Sequence, residues 1–219
     1  MPSETETDLL EYEKKLYEQG ITLIAGVDEV GRGPLAGPVV AAAVILPNDE
    51  KLLKVLSGVN DSKKLTAKKR AAFYSLIMMT AFSVGVGSAS VAEIDEINIL
   101  QATKLAMKRA IDKLSVTPKY LLIDHLTLDL EIPQQGITKG DSKSLSIAAA
   151  SIVAKEIRDN LMKELGDKYH GYGFKKNAGY GTKVHREALN SLGYIEGVHR
   201  KSFEPVRSML ETQKQGSLF

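Results

Sequence analysis

Four acidic residues stand where a folded chain could put them to chemical use: Asp28, Glu29, Asp124 and Asp141. Asp28 and Glu29 are adjacent and follow an apolar run at residues 21–27. Asp124 closes Tyr120-Leu121-Leu122-Ile123, a run with no other charge, and Asp141 stands just before an apolar helical pattern. Acidic residues are poor strand formers, and a carboxylate at the end of a buried strand needs a partner for its charge. A bound cation is such a partner. The chain has no cysteine, and its histidines, His125, His170, His185 and His199, show no ligand spacing. Clustered carboxylates then suit hard cations, Mg²⁺ or Mn²⁺, bound through oxygen. The chemistry that needs such a cluster is phosphoryl transfer, in which two ions ~3.5–4 Å apart serve the attacking and leaving oxygens. Each acid also has a plain structural reading. Asp28 and Glu29 could be the solvated tip of a turn, Asp124 a turn cap and Asp141 a helix N-cap.

These residues must be positioned by strands and helix starts. Residues 21–29 and 37–46 read as strands joined by the tight Gly31-Arg32-Gly33-Pro34-Leu35-Ala36-Gly37-Pro38 connection. The glycine spacing is G-x-G-x-x-x-G, and Pro38 opposes a following helix, so this is not a dinucleotide-binding loop. Asp28 and Glu29 would point to opposite faces of a regular strand, which predicts a twist or bulge there. Further along, a short helix is expected over residues 8–19, a helical turn near 52–56, and a helix from Thr66 to about residue 79. A strand follows at 81–88. Ser90-Val91-Ala92-Glu93 has the form of a capping box and opens a long helix with Ile94, Ile97, Leu100, Met107, Ile111 and Leu114 on one face. Strands are expected at 120–124 and 136–139. A helix over 144–165 buries Leu145, Ala149, Ile152, Val153, Ile157, Leu161 and Leu165, and Gly166 stops it. Shorter helices lie near 184–192 and 205–213, and residues 1–7 read as disordered. The order is α/β with a mixed sheet.

The stretch Gly26-Val27-Asp28-Glu29-Val30-Gly31-Arg32-Gly33-Pro34-Leu35-Ala36-Gly37-Pro38 resembles the signature of the type 2 ribonucleases H, specifically bacterial ribonuclease HII. The likeness continues, in family order, through Asp61-Ser62-Lys63-Lys64-Leu65, Leu122-Ile123-Asp124, Lys139-Gly140-Asp141, Ala149-Ala150-Ser151-Ile152-Val153-Ala154-Lys155 with Arg158-Asp159, and Gly179-Tyr180-Gly181-Thr182. It implies the ribonuclease H-like fold, a mixed central β-sheet flanked by helices, with a helical C-terminal extension. Residues 1–20 would be a tail and short helix, 21–166 the catalytic core, and 167–219 a substrate-binding extension packed on it. It implies a metal-dependent endonuclease that hydrolyses the RNA strand of RNA/DNA hybrids. Such an enzyme also cuts 5′ of ribonucleotides embedded in duplex DNA, leaving 3′-hydroxyl and 5′-phosphate ends, and serves ribonucleotide removal and primer clearance. Asp28, Glu29, Asp124 and Asp141 would be the catalytic metal ligands, for two Mg²⁺ or Mn²⁺ ions. Gly31, Arg32 and Gly33 would contact the 2′-hydroxyl, and Tyr180 the neighbouring sugar. Read from the residues themselves, Lys63 and Lys64 are either phosphate binders or a solvated lysine pair, and Asp159, inside the helix, would serve its surface or support the site. Two other readings stay open: another ribonuclease H-like phosphotransferase of the resolvase type, and a non-catalytic hybrid-binding protein.

Composition agrees. The 219 residues are 43% hydrophobic, enough for a sizeable core, and no apolar stretch reaches the ~18 residues of a membrane span. The lack of cysteine and of a signal peptide suits a cytoplasmic protein, expected as a monomer. Net charge is only +2, but it is uneven. Between residues 168 and 207 the basic residues Lys168, Lys175, Lys176, Lys183, Arg186, Arg200, Lys201 and Arg207 face only Glu187, Glu196 and Glu204, with aromatics interleaved. That pattern suits a surface tracking a nucleic-acid backbone, or else a small satellite core with a solvated face.

Overall fold

A computed structural model describes residues 8–56, 58 and 65–216. Residues 1–7 and 61–64, the latter including Lys63 and Lys64, lie outside the described residues. Five strands form one mixed sheet: β1 (Ile24–Val30), β2 (Val39–Ile45), β3 (Ser83–Ala89), β4 (Tyr120–Asp124) and β5 (Gln134–Ile137), in the order β3-β2-β1-β4-β5. β1, β2 and β3 form an antiparallel meander, whereas β4 runs parallel to β1 and β5 parallel to β4. A parallel partner needs a crossover connection, and α4 (Val91–Asp112) supplies it between β3 and β4.

Helices cover both faces of the sheet. α4 packs on one face and α5 (Leu145–Lys168) on the other. Small residues let them approach closely. Ala25, Ala41 and Ala43 face the α4 side, and Ala42 faces the α5 side. A methyl group added at Gly85 or Gly87 would overlap the α4 backbone, and one at Gly26 would overlap the α5 backbone at Ser146. α1 (Glu11–Glu18), α2 (Glu50–Leu56) and α3 (Ala67–Thr80) flank this core, with α3 against α5. After α5 come α6 (Phe174–Asn177), α7 (Lys183–Leu192) and α8 (Val206–Gly216). Their buried residues Phe174, Ala188, Leu189 and Val206 share a separate apolar cluster with Leu35, Ala36 and Met162. Among the described residues no helix is long and apolar enough to cross a membrane.

Local chemistry explains most of the helix starts. Thr66 and Ser90 cap α3 and α4 through their hydroxyls, and Ser90 with Glu93 forms the full capping box. α5 is capped by Ser144, not by Asp141. Three expectations are corrected. Gly166 does not end α5, which continues to Lys168; a Cβ at Gly166 would crowd Lys175 of α6, so the glycine permits a close approach. α4 breaks at Asn98 (φ 66°, ψ 164°), whose side-chain oxygen accepts from the Leu100 and Gln101 amides and restarts the helix. The phase slips there, so Leu100 is exposed rather than in the inner stripe; Leu161 is likewise exposed on α5. Finally, β1 pairs with β2 without a bulge from Ala25 to Val30, through both acids.

The tight seat of Gly26 under α5 gives a stability test. Gly26→Ala should destabilise the protein by about 3 kcal/mol, the upper end for overpacking, because the obstacle is backbone that cannot swing aside. The shift in denaturant midpoint relative to the parent chain measures it.

Candidate active site

Two strand ends bring Asp28 and Asp124 together. β1 and β4 are parallel, and their paired residues finish at Val27 opposite Ile123. The next residue on each strand is an aspartate, and both project toward the same face of the sheet. Beyond that point, among the described residues, β1 has no paired strand on the β4 side. Glu29 therefore reaches the same space although its strand is regular. Asp28, Glu29 and Asp124 border one cavity of about 380 Å³ with Ser151, Ile152 and Lys155 of α5, Arg70 of α3, and Tyr180. No bulge is needed because the missing neighbour does its work.

Asp141 lies beside this group without lining the cavity. It is buried in a single 3-10 turn, Gly140–Ser142, between β5 and α5. Asp124 fastens that turn: its Oδ1 accepts the Gly140 amide hydrogen bond at 2.7 Å. Lys139, just before, adopts a left-handed conformation (φ 57°).

The electrostatics are unfavourable for the protein alone. Burial, then the charges of Glu29 and Asp124, push the Asp28 carboxyl well above the usual carboxylate range. Hydrogen bonds from Ser151 and the Glu29 amide only partly oppose this. Glu29 is also raised, by burial, against the pull of Arg32 at 3.4 Å. Its Oε2 atom is buried and has no hydrogen-bond partner, a state that costs free energy unless something else supplies positive charge. Among the described residues no three His, Cys, Asp or Glu side chains are grouped closely enough to cage a metal ion as they stand. The donors are nevertheless all carboxylate oxygens facing one space, Asp28 buried and Glu29 and Asp124 half-buried, and one of the oxygens is orphaned, which fits a hard divalent cation.

The other side of the cavity is cationic. Arg70 binds Glu156 at 2.6 Å and Asp159 at 3.2 Å, and Lys155 binds Asp159 at 2.7 Å. Asp159 thus holds two cations at the cavity wall, consistent with a supporting place. Arg70, Ser151 and Lys155 escaped the sequence assignment. Ser151 and Lys155 are four residues apart on α5, a spacing that puts them on one helix face; Arg70 carries no such signal.

The glycine-rich connection borders the carboxylates and is held from behind. Arg158 and Arg200 are both completely buried, and their partners are main-chain oxygens. Arg158 donates to the carbonyls of Ala36, Pro38 and Ala178, and Arg200 to those of Gly31, Arg32 and Gly37. Gly31 has φ +96°, and a Cβ there would collide with the Arg158 side chain. The Arg32 side chain points outward toward Glu29 and is 40% exposed. Tyr180 follows Gly179 (φ +84°), is 44% exposed, and its ring stands near Gly33. Arg200, grouped above with phosphate-tracking residues, is instead a buried clamp. The aromatics Tyr172 and Phe174 pack in the satellite cluster, and Lys175, Lys201 and Arg207 pair with Asp167, Glu196 and Glu204.

Comparison with known proteins points the same way. The family model described as Ribonuclease HII matches residues 25–206. A protein named Ribonuclease HII from Geobacillus sp. (strain WCH70) is 53% identical over 209 residues, covering 95% of this chain and 74% of the relative. Another of that name, from Bacillus thuringiensis (strain Al Hakam), is 57% identical over 204 residues, covering 93% and 77%. The crystal structure of ribonuclease H2 from Pyrococcus horikoshii OT3 superposes with a TM-score of 0.72 at 29% identity, covering 87% of this chain and 98% of that one.

The raised carboxyl of Asp28 makes a prediction about stability. A group whose folded pKa lies above its unfolded value withholds stability at neutral pH, where the unfolded chain ionises it freely. In chelator at pH 7, Asp28→Asn should therefore melt a few degrees above the parent chain. Added Mn²⁺ should raise the parent's melting temperature and leave the variant nearly unmoved, as thermal denaturation with and without metal will read.

Proposed function

The chain belongs to the ribonuclease HII family, an endonuclease of RNA/DNA hybrids, and from that premise we propose how its residues cut and what they recognise. The observation that carries the proposal is the shared cavity, with Asp28, Glu29 and Asp124 on its floor and Tyr180 at its rim. Asp28, Glu29 and Asp124, with Asp141 beside them, would hold Mg²⁺ or Mn²⁺. Bound there, two ions would supply the positive charge that in-line displacement at phosphorus requires. The protein's own part is to hold the scissile phosphate and orient the attacking water. Arg70 and Lys155 at the wall, and Lys63 and Lys64 from the preceding segment, suit phosphate oxygens by charge.

Substrate choice is assigned to the rim. The 2′-hydroxyl both donates and accepts, and it marks RNA against DNA. Exposed Gly33 and half-buried Arg32 would offer backbone to a ribose, with buried Gly31, its carbonyl held by Arg200, shaping the turn behind them, and the Tyr180 ring near Gly33 would press on the adjoining sugar. A site built to pair a hydroxyl rejects the analogue lacking it by a large factor, on the order of 10⁴. The enzyme would then cut on the 5′ side of a ribonucleotide even when one stands alone in duplex DNA, leaving 3′-hydroxyl and 5′-phosphate, and would do so as a monomer. The resolvase-type and binding-only alternatives fall with family membership.

Two measurements test this reading. A duplex carrying one ribonucleotide should be cut at its 5′ side in Mg²⁺ or Mn²⁺ and not in chelator. Asp124→Asn should lower that rate by at least about a thousandfold with the fold intact, since the amide keeps the shape but not the charge; near-normal turnover would remove Asp124 from the site. Separately, hybrid affinity should fall steeply with salt. Neutralising Lys175, Lys176 and Lys183 should flatten the slope of log affinity against log salt by about one unit per lost phosphate contact. An unchanged slope would place this face off the nucleic acid.

A further inference from the structure

Behind the Tyr180 loop lie two histidines to which the cleavage chemistry gives no task. His185, in the first turn of α7, and His199, beyond α7, are both completely buried. Their Nε2 atoms are 3.0 Å apart. The outer nitrogens have backbone partners. His199 Nδ1 accepts from the Ile195 amide at 2.8 Å, and His185 Nδ1 lies 2.9 Å from the Tyr180 carbonyl oxygen. These partners decide where the protons sit. An amide only donates, so His199 Nδ1 is bare and its proton is on Nε2. A carbonyl only accepts, so His185 carries its proton on Nδ1 and its Nε2 is bare. The central contact is then a proper hydrogen bond from His199 to His185. One arrangement of two protons satisfies all four ring nitrogens, with both rings neutral. Burial, which lowers both imidazoles and takes His199 to about 4, agrees.

The end of this relay is the peptide that bears Tyr180. Its amide donates to the Asn177 carbonyl at 2.9 Å, and its carbonyl also accepts from the Thr182 amide at 2.8 Å. The ring itself is 44% exposed. A side chain with so little packing of its own is aimed chiefly by its backbone. We propose that the hydrogen-bond relay from Ile195 through His199 and His185 to Tyr180 aims the tyrosine ring into the cavity, which makes His185 and His199 positioning residues for cleavage. The inference rests on the reading of Tyr180 as the residue that meets the sugar.

The test is single-turnover cleavage of a duplex with one ribonucleotide, beside a binding titration and a melting curve. Tyr180→Ala, His185→Phe and His185→Asn are compared in the same metal and salt. His185→Phe keeps a ring between Tyr172 and Phe174, which pack on the histidines, but it has no donor. It should cleave roughly 10- to 100-fold more slowly, the scale of a small misplacement near reacting atoms, with binding nearly unchanged. In His185→Asn the amide can occupy the place of Nδ1, so most of the rate should return. In a Tyr180→Ala background His185→Phe should cost nothing further, because the two act through one side chain. A His185→Phe protein that melts lower but cleaves at the parental rate, while Tyr180→Ala is slow, overturns the relay. Equal slowing by Phe and Asn overturns it too. Parental cleavage by Tyr180→Ala instead overturns the underlying reading of Tyr180. If the Phe variant does not fold, His185→Gln against His185→Asn makes the same comparison with two polar side chains, only Asn reaching the Tyr180 carbonyl.

Discussion

Two buried guanidinium groups hold the glycine-rich connection of this molecule in place. Arg158 and Arg200 exchange water for six main-chain carbonyls rather than for carboxylates. Burying an arginine without such compensation would be prohibitive; with it, the planar fork fixes several carbonyls at once. The residues so gripped, from Gly31 to Pro38, form no helix or strand of their own, and main-chain bonds to Gly179, Val198 and Arg200 add to the grip. Arg158 also ties Ala178, two residues before Tyr180, to the same hub. α5 thus serves the cavity through Ser151 and Lys155 and the connection through Arg158. The carboxylates and the rim facing them share one rigid support.

The floor of the cavity is expensive by comparison. Asp28 and Glu29 repel Asp124, lose hydration, and leave one oxygen without a partner. Their partners across the β1–β2 pairing, Ala42 and Ala41, are by contrast fully buried and apolar. The strain sits where an external cation can relieve it, as expected of a site kept for function at a cost in stability.

Much of this was legible in the sequence because strand ends and helix caps are written locally. Apolar runs closed by an acid mark Asp28 and Asp124, and hydroxyls before apolar periods mark Thr66, Ser90 and Ser144. The motif order supplied Tyr180 and Asp141. What escaped is non-local. Nothing near Arg200 distinguishes a clamp buried under residue 31 from a basic residue on a surface, so charge counting misfiled it. Asn98 breaks α4 through a side-chain bond that apolar spacing does not reveal. The shared reach of Asp28 and Glu29 depends on where β4 stops pairing, a fact of the sheet rather than of either residue.

The distance along the chain between the clamps and what they hold has a consequence for biosynthesis. Arg158 meets Pro38 across 120 residues and Arg200 meets Gly31 across 169. Chains leave the ribosome N-terminus first, at about 5–20 residues per second, and contacts this distant cannot form until both ends are present. All five strands and the four acids are made by residue 141, so the sheet and its carboxylates can assemble while residues beyond α5 are still being added. The glycine-rich connection acquires its final shape only once residue 200 has emerged. The sheet and its clustered carboxylates can thus form before the neighbouring glycine-rich connection is locked, although the two are synthesised side by side.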